Sequence, residues 1–164
     1  MRMTSLVTVR AAVPADRAVV GHLGALLVAE HHRFDPKRFI APIPNLVERY
    51  GAFLISQSER PEMVVLVAER GGEVVGYAFG GIEGNDYMAL RGPAGALYDL
   101  VVGPDHRRQG VGTCLLDAAL AALARLGAPR VILFTAEKNR AAQQMFGKAG
   151  FRRTMIEMTR ELTT

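Results

Sequence analysis

Residues 6–10 alternate apolar and polar side chains, the period of a half-buried strand. From Pro14-Ala15-Asp16 the pattern changes to an apolar stretch that reads as a helix to about Glu30, with residues 31–42 as a loop. Pro44 and Asn45 can start a second helix, with Leu46, Val47, Tyr50 and Leu54 along one side. Residues 63–70 and 73–82 are rich in β-branched and aromatic side chains. Gly71-Gly72 between them is a two-residue turn, so the pair predicts an antiparallel hairpin. Gly84-Asn85-Asp86 and then Gly92-Pro93 interrupt the chain before a strand over residues 96–102.

From Val111, the residues Leu115, Leu116, Ala119, Leu120, Leu123 and Leu126 recur at three- and four-residue intervals, and Gly127 followed by Pro129 supplies a stop. A short buried-type strand over 130–135 follows. Asn139 is a good N-cap for a helix carrying Ala142, Met145, Phe146 and Ala149 on one face, ended by Gly150. Residues 154–161 predict a last strand. A hairpin followed by a β-α-β unit over residues 96–135 predicts an α/β fold with a central mixed sheet and helices on both faces.

The length of 164 residues, 49% of them hydrophobic, closes one substantial core, so residues 1–164 are expected to form a single domain. No apolar run approaches the ~18–20 residues of a membrane span, and the first residues lack the apolar core of a secretory signal. Cys114 is the single cysteine, which rules out an internal disulfide and predicts a cytoplasmic location. Twenty Lys and Arg against sixteen Asp and Glu give a net charge of +4. That excess suits nucleic acid, an acidic membrane or a polyanionic small molecule equally.

The placement of arginine says more than its total. Arg107-Arg108-Gln109-Gly110-Val111-Gly112 lies between a strand and the strongest helix. Glycines allow a ligand close to the backbone, first-turn N–H groups and the helix dipole attract anions, and guanidinium groups bind phosphate oxygens. A pyrophosphate fits, and so does a structural turn with exposed arginines. The segment is neither a Walker A loop nor the G-x-G-x-x-G dinucleotide fingerprint.

The pattern V-x-P-x-x-R-x-x-G-x-G, followed about 30 residues on by N-x-x-A-x-x-x-Φ-x-x-x-G-F (Φ aromatic), resembles the GNAT N-acetyltransferase superfamily. Here these positions are Val102, Pro104, Arg107, Gly110 and Gly112, then Asn139, Ala142, Phe146, Gly150 and Phe151. The resemblance is close over residues 97–151 and looser over 64–82 and 7–16. It implies acetyl-CoA as co-substrate. Pantetheine would lie between splayed strands against the main chain of Leu100, Val101 and Val102. The pyrophosphate would be held by Arg107, Arg108, Gln109, Gly110, Val111, Gly112 and Thr113. Asn139, Ala142 and Phe146 would contact the coenzyme, Asn139 also serving as an N-cap.

Acetylation of an amine needs a neutral nitrogen, and an alkylammonium resembles lysine with a pKa of about 10.4. Asp99 is the first candidate to take that proton or bind the ammonium, because a carboxylate among Tyr98, Leu100, Val101 and Val102 needs a partner or a task. Many GNAT enzymes carry a tyrosine acid where Phe146 stands; Tyr98, Tyr77 and Tyr87 are the available substitutes, with Tyr98 adjoining Asp99. No zinc-like spacing links His22, His31, His32 and His106, so no metal is expected and loop or surface roles are assigned to them. Cys114 reads as a small packed residue, and Met155 and Met158 as core or substrate-wall residues. Glu69, Glu83 and Glu137 are candidates to line an acceptor pocket. The YDL-x-V and HRRQG segments also look like the branch of aminoglycoside 3-N- and small-amine acetyltransferases. The expected acceptor is therefore a small-molecule amine, without nucleic acid or membrane as partner, and the chain is compatible with a homodimer. A peptide N-acetyltransferase and a silent acyl-CoA sensor are the alternatives.

Overall fold

The computed structural model describes residues 6–162. Five strands form one sheet in the order β1 (Val7–Ala11), β2 (Met63–Arg70), β3 (Glu73–Glu83), β4 (Ala94–Val102) and β5 (Val131–Leu133). All neighbours are antiparallel except β4 and β5, which run parallel. The parallel pair needs a crossover, and the helix α3 (Val111–Arg125) supplies it. The β2–β3 hairpin turns at Gly71 and Gly72, both with positive φ, the conformation a two-residue turn demands.

Helices cover both faces. On one side α1 (Arg17–Phe34) and α2 (Leu46–Ser58) enclose a core of Val20, Leu23, Leu54, Val67, Tyr77 and Val101. On the other side α3 and the short α4 (Arg140–Lys148) pack with Leu97, Val111, Leu115, Leu116, Ala119 and Phe146. A 3-10 turn at Pro14–Asp16 opens α1. Buried Asp16 ties that turn to the sheet by accepting from Arg10 at 2.7 and 3.0 Å and from the Val13 N–H at 2.8 Å. Arg10 also bonds Glu69 on β2, so Glu69 belongs to this strap rather than to an acceptor pocket.

Helices α1 and α2 touch backbone to backbone. A Cβ on Gly21 would lie 2.2 Å from the Val47 carbonyl oxygen, a group that cannot move without unwinding α2. Gly21→Ala is therefore expected to cost about 2–3 kcal/mol, the scale of overpacking. A lowered urea midpoint with unchanged slope would register it.

Three expectations need correction. Helix α1 does not stop near Glu30 but runs to Phe34, so His31 and His32 are helical rather than in a loop; leucines and histidines at 23, 27 and 31 continue the same face. Residues 154–161 form no strand: the segment pairs with no neighbour, and Met155 and Met158 are exposed rather than core. Arg38 anchors it by pairing with Glu157, and just before it Arg153 meets Glu137. Cys114 is exposed, not packed. No helix among the described residues is long and apolar enough to cross a membrane.

Candidate active site

Asp99 owes its position to an irregularity in β4. Phe79 is opposite Asp99 but Gly80 is opposite Leu97, so Tyr98 is an extra residue, a β-bulge. The bulge inverts the alternation. Leu97 packs on the α3 side, whereas beyond the bulge Leu100 and Val102 take that side and Val101 turns toward α1 and α2. Asp99 turns the same way and is buried there.

Two tyrosines meet it. The Tyr50 hydroxyl from α2 and the Tyr77 hydroxyl from β3 both donate to Oδ2, at 2.7 and 2.8 Å. Tyr50 reaches it because Gly24 on α1 leaves room for its ring; a Cβ there would lie 2.2 Å from Tyr50 Cδ1. Burial pushes the Asp99 carboxyl above its ordinary value, and the tyrosine bonds pull it partly back. Burial also raises Tyr50 and Tyr77, with the charge of Asp99 adding to the rise, so both stay protonated as donors.

The β4–β5 ladder ends early. It holds only Gly95, Ala96 and Leu97 against Val131, Ile132 and Leu133, after which β4 continues alone to Val102. The Gly103 N–H bonds the Val75 oxygen, and Tyr77 pairs with Val101, so the main-chain groups of Val101 face β3. By strand alternation those of Leu100 and Val102 face the opening. Val101 thus turns both side chain and main chain away from it, unlike its two neighbours. The Val102 oxygen accepts from Arg107 Nε at 2.9 Å, leaving Leu100 as the freer neighbour.

A cavity of ≈ 280 Å³ occupies the opening. One part is lined by Leu100, Leu133, Thr135, Asn139, Ala142 and Phe146. The rest of its lining is Leu27, Val28, His31, Phe39, Ile40, Leu97, Tyr98, Asp99 and Phe134. Asn139 caps α4, its Oδ1 accepting from the Ala142 N–H at 3.2 Å. Phe146 is buried, edge-on to Phe151 at 5.7 Å. Tyr98 is partly exposed and its hydroxyl donates to Glu83 at 2.8 Å; burial first, then that bond, pushes it up to about 12. Tyr87 is exposed, and Glu137 lies at the surface with Arg140 and Arg153.

Beyond Val102 the chain passes a 3-10 turn at Pro104–His106 and enters α3 through Arg108 and Gly110, both with positive φ. The first backbone bond of α3 runs from the Cys114 N–H to the Gly110 oxygen, so the N–H groups of Val111, Gly112 and Thr113 precede the ladder. The glycine at 110 leaves open space, nothing lying within 4 Å of a Cβ there. Arg107 bonds Glu30 at 2.7 Å as well as the Val102 oxygen. Gln109 bonds the Asp105 oxygen and Arg70. Arg108 makes no ion pair among the described residues. Val111 is a buried core residue, with only its main chain at the loop.

Two site residues escaped sequence reasoning: Tyr50, read only as an apolar-face residue, and His31, read as loop. For His31 a signal existed in the four-residue step from Leu27.

The site is thus a strand pair opened near a helix N-terminus, with a buried carboxylate beside the gap. The chain belongs to the acetyltransferase (GNAT) family, whose model matches residues 28–151. A mycothiol acetyltransferase of Thermobispora bispora is 34% identical over 96 residues, 56% of this chain and 31% of that protein. The chain spans less than half the length of the mycothiol acetyltransferases it matches. Among solved structures, the BH1408 protein of Bacillus halodurans superposes with a TM-score of 0.80 at 17% identity, covering 95% of this chain and 99% of that one. An aminoglycoside N-acetyltransferase, AAC(6')-Iy in complex with CoA, superposes at 0.72 and 16% identity over 99% of both chains.

Proposed function

We propose that the protein transfers an acetyl group from acetyl-CoA to a primary amine of a small molecule, by direct attack within a ternary complex. The observation that carries this reading is the single cavity that joins the open β4–β5 edge to buried Asp99. The residues fit the coenzyme. The main chain of Leu100 lacks a strand partner on the open side, and pantetheine amides would replace one. The N–H groups of Val111, Gly112 and Thr113 precede the helix ladder, and with Arg108 they suit a pyrophosphate. Asn139, Ala142 and Phe146 would flank the pantetheine arm. Arg107 would act by holding the loop through Val102 and Glu30, and Gln109 by bracing it against Arg70. When bound, the coenzyme supplies an activated acyl thioester.

On the acceptor side, Asp99 is the one carboxylate lining the cavity, and the walls are otherwise mainly apolar. That favours a compact amine with an apolar body over a polycation, which would ask for several carboxylates. Asp99 would hold the acceptor nitrogen. Direct attack is supported by a cavity lining that holds no cysteine or serine, its hydroxyls being Thr135 and Tyr98, the latter bonded to Glu83. The test is thiol release from acetyl-CoA across alkylamines, arylalkylamines, polyamines, aminoglycosides, amino acids and peptide N-termini. Turnover with a compact amine supports the reading. Acetyl-CoA binding without release on any amine would instead indicate a sensor, the role Phe146 in place of the family's usual tyrosine would suit.

A thiol leaving group resembles cysteine, with a pKa near 8.5, and departs without an acid. Phe146→Tyr is accordingly expected to leave kcat within about threefold, on the scale of less than 1 kcal/mol. Steady-state kinetics at saturating acetyl-CoA measures it, and a loss beyond tenfold would assign the position to packing alone.

A further inference from the structure

His31 borders the cavity from α1 and is not among the residues that would hold the coenzyme. Its Nδ1 lies 2.9 Å from the main-chain oxygen of Leu27, one helical turn back. A carbonyl only accepts, so Nδ1 carries the hydrogen and the neutral ring keeps a bare lone pair on Nε2. Phe34 and Phe39 meet the ring edge-on at 5.8 and 5.1 Å and restrict its rotation. The loop bearing Phe39 is itself held: Arg38 sits over the Phe39 ring at 4.9 Å and pairs with Glu157.

His31 and Asp99 line the same cavity. The other polar groups around them are engaged. On α1 itself, Glu30 binds Arg107, Arg33 approaches Glu30, and His32 meets the Phe39 oxygen. From α2 and β3, Tyr50 and Tyr77 both point to Asp99. From β4, Tyr98 is taken by Glu83. With two hydroxyls on one oxygen, the carboxylate of Asp99 is built to remain an acceptor, whereas His31 holds a free lone pair.

We propose that His31 is the catalytic base, taking the proton of the acceptor ammonium on Nε2 while Asp99 holds the nitrogen in place. This rests on the acetyl-transfer reading. The ammonium gives one proton to Nε2, and the freed lone pair forms the C–N bond to the acetyl carbon. The C–S bond breaks with its electron pair on sulfur, the second nitrogen proton goes to that sulfur, and His31 passes its own proton to solvent. The products are amide and thiol.

The experiment compares wild type and His31→Gln across pH, using a compact amine that the wild type turns over and calorimetry of acetyl-CoA in parallel. Removing a general base typically costs about 10²–10⁴-fold. H31Q is expected to lose at least about 100-fold in kcat/KM at pH 7 and the ascending limb of the pH profile. Its rate should recover as pH approaches the amine's own pKa, with acetyl-CoA affinity unchanged. A variant within threefold of wild type that keeps the limb overturns the base and leaves the acetyl-transfer reading standing. A wild type that binds acetyl-CoA but turns over no amine overturns both. Should H31Q fold poorly, long-range ¹H–¹⁵N spectra of the wild type decide: neutral His31 protonated on Nδ1 supports the assignment, and protonation on Nε2 overturns it.

Discussion

Asp99→Asn is expected to lower kcat/KM for the amine about 100-fold while leaving acetyl-CoA affinity and the fold intact. The activity term follows from a charge-assisted contact to the acceptor nitrogen, worth roughly 1.5–3 kcal/mol. The stability term is unusual for a buried polar residue. Both tyrosine hydroxyls donate to the same carboxylate oxygen, and the amide oxygen of asparagine can receive both. Burial holds the folded carboxyl above its ordinary 3.8. Between 3.8 and that raised value the folded form binds the extra proton, so wild-type stability falls as pH rises through the window. The D99N variant lacks that fall. At pH 7 its melting temperature should match or exceed wild type, and thermal melts with paired kinetics check both halves. Wild-type kinetics, or a collapse in stability, would remove Asp99 from the site.

Gly110→Asp is expected to weaken acetyl-CoA at least about 100-fold, a loss of about 2.8 kcal/mol at 1.4 kcal/mol per tenfold. Nothing lies within 4 Å of a Cβ at this position, so the side chain meets no steric obstacle. Its cost is backbone: the φ of +83° disfavours an L-residue by about 1–2 kcal/mol. A carboxylate at the N-terminus of α3 returns roughly 0.3–1 kcal/mol through the helix dipole. Stability should therefore change by about 1 kcal/mol, while the new charge stands where the pyrophosphate would sit. Calorimetry reads the affinity and a urea titration the stability. Unchanged affinity would remove the coenzyme from this loop.

Much of the frame was legible along the chain because local rules govern it. The hairpin follows from two positive-φ glycines, α3 from a long heptad-like apolar stripe, and the cap of α4 from Asn139. The loop proposed to hold the coenzyme was legible for the same reason, since a helix N-terminus reached through glycine is a local feature. Asp99 was visible as an anomaly, a carboxylate among apolar strand residues. Other expectations failed where local pattern is weak. Residues 154–161 have strand-like composition, yet a strand exists only with a partner, and none lies beside them. The end of α1 is hard to read because adjacent histidines look polar, whereas His31 packs edge-on to Phe34 and Phe39, His32 meets the Phe39 oxygen, and the helix runs through both.

The sequence by itself determined the order of elements through α4, the family resemblance, the arginine-glycine loop that opens α3 and the suspicion attached to Asp99, all properties of neighbouring residues or fixed spacings. Tertiary structure alone decided what Asp99 faces. A one-residue bulge at Tyr98 rotates it to the α1–α2 side, Gly24 admits the Tyr50 ring, and α1 runs far enough to bring His31 to the cavity. Hydrogen bonds join residues 50, 77 and 99, and residue 31 lines the same cavity as residue 99, so four different elements meet at one place. No periodicity encodes them, because they arise only when the sheet and its two helices pack together.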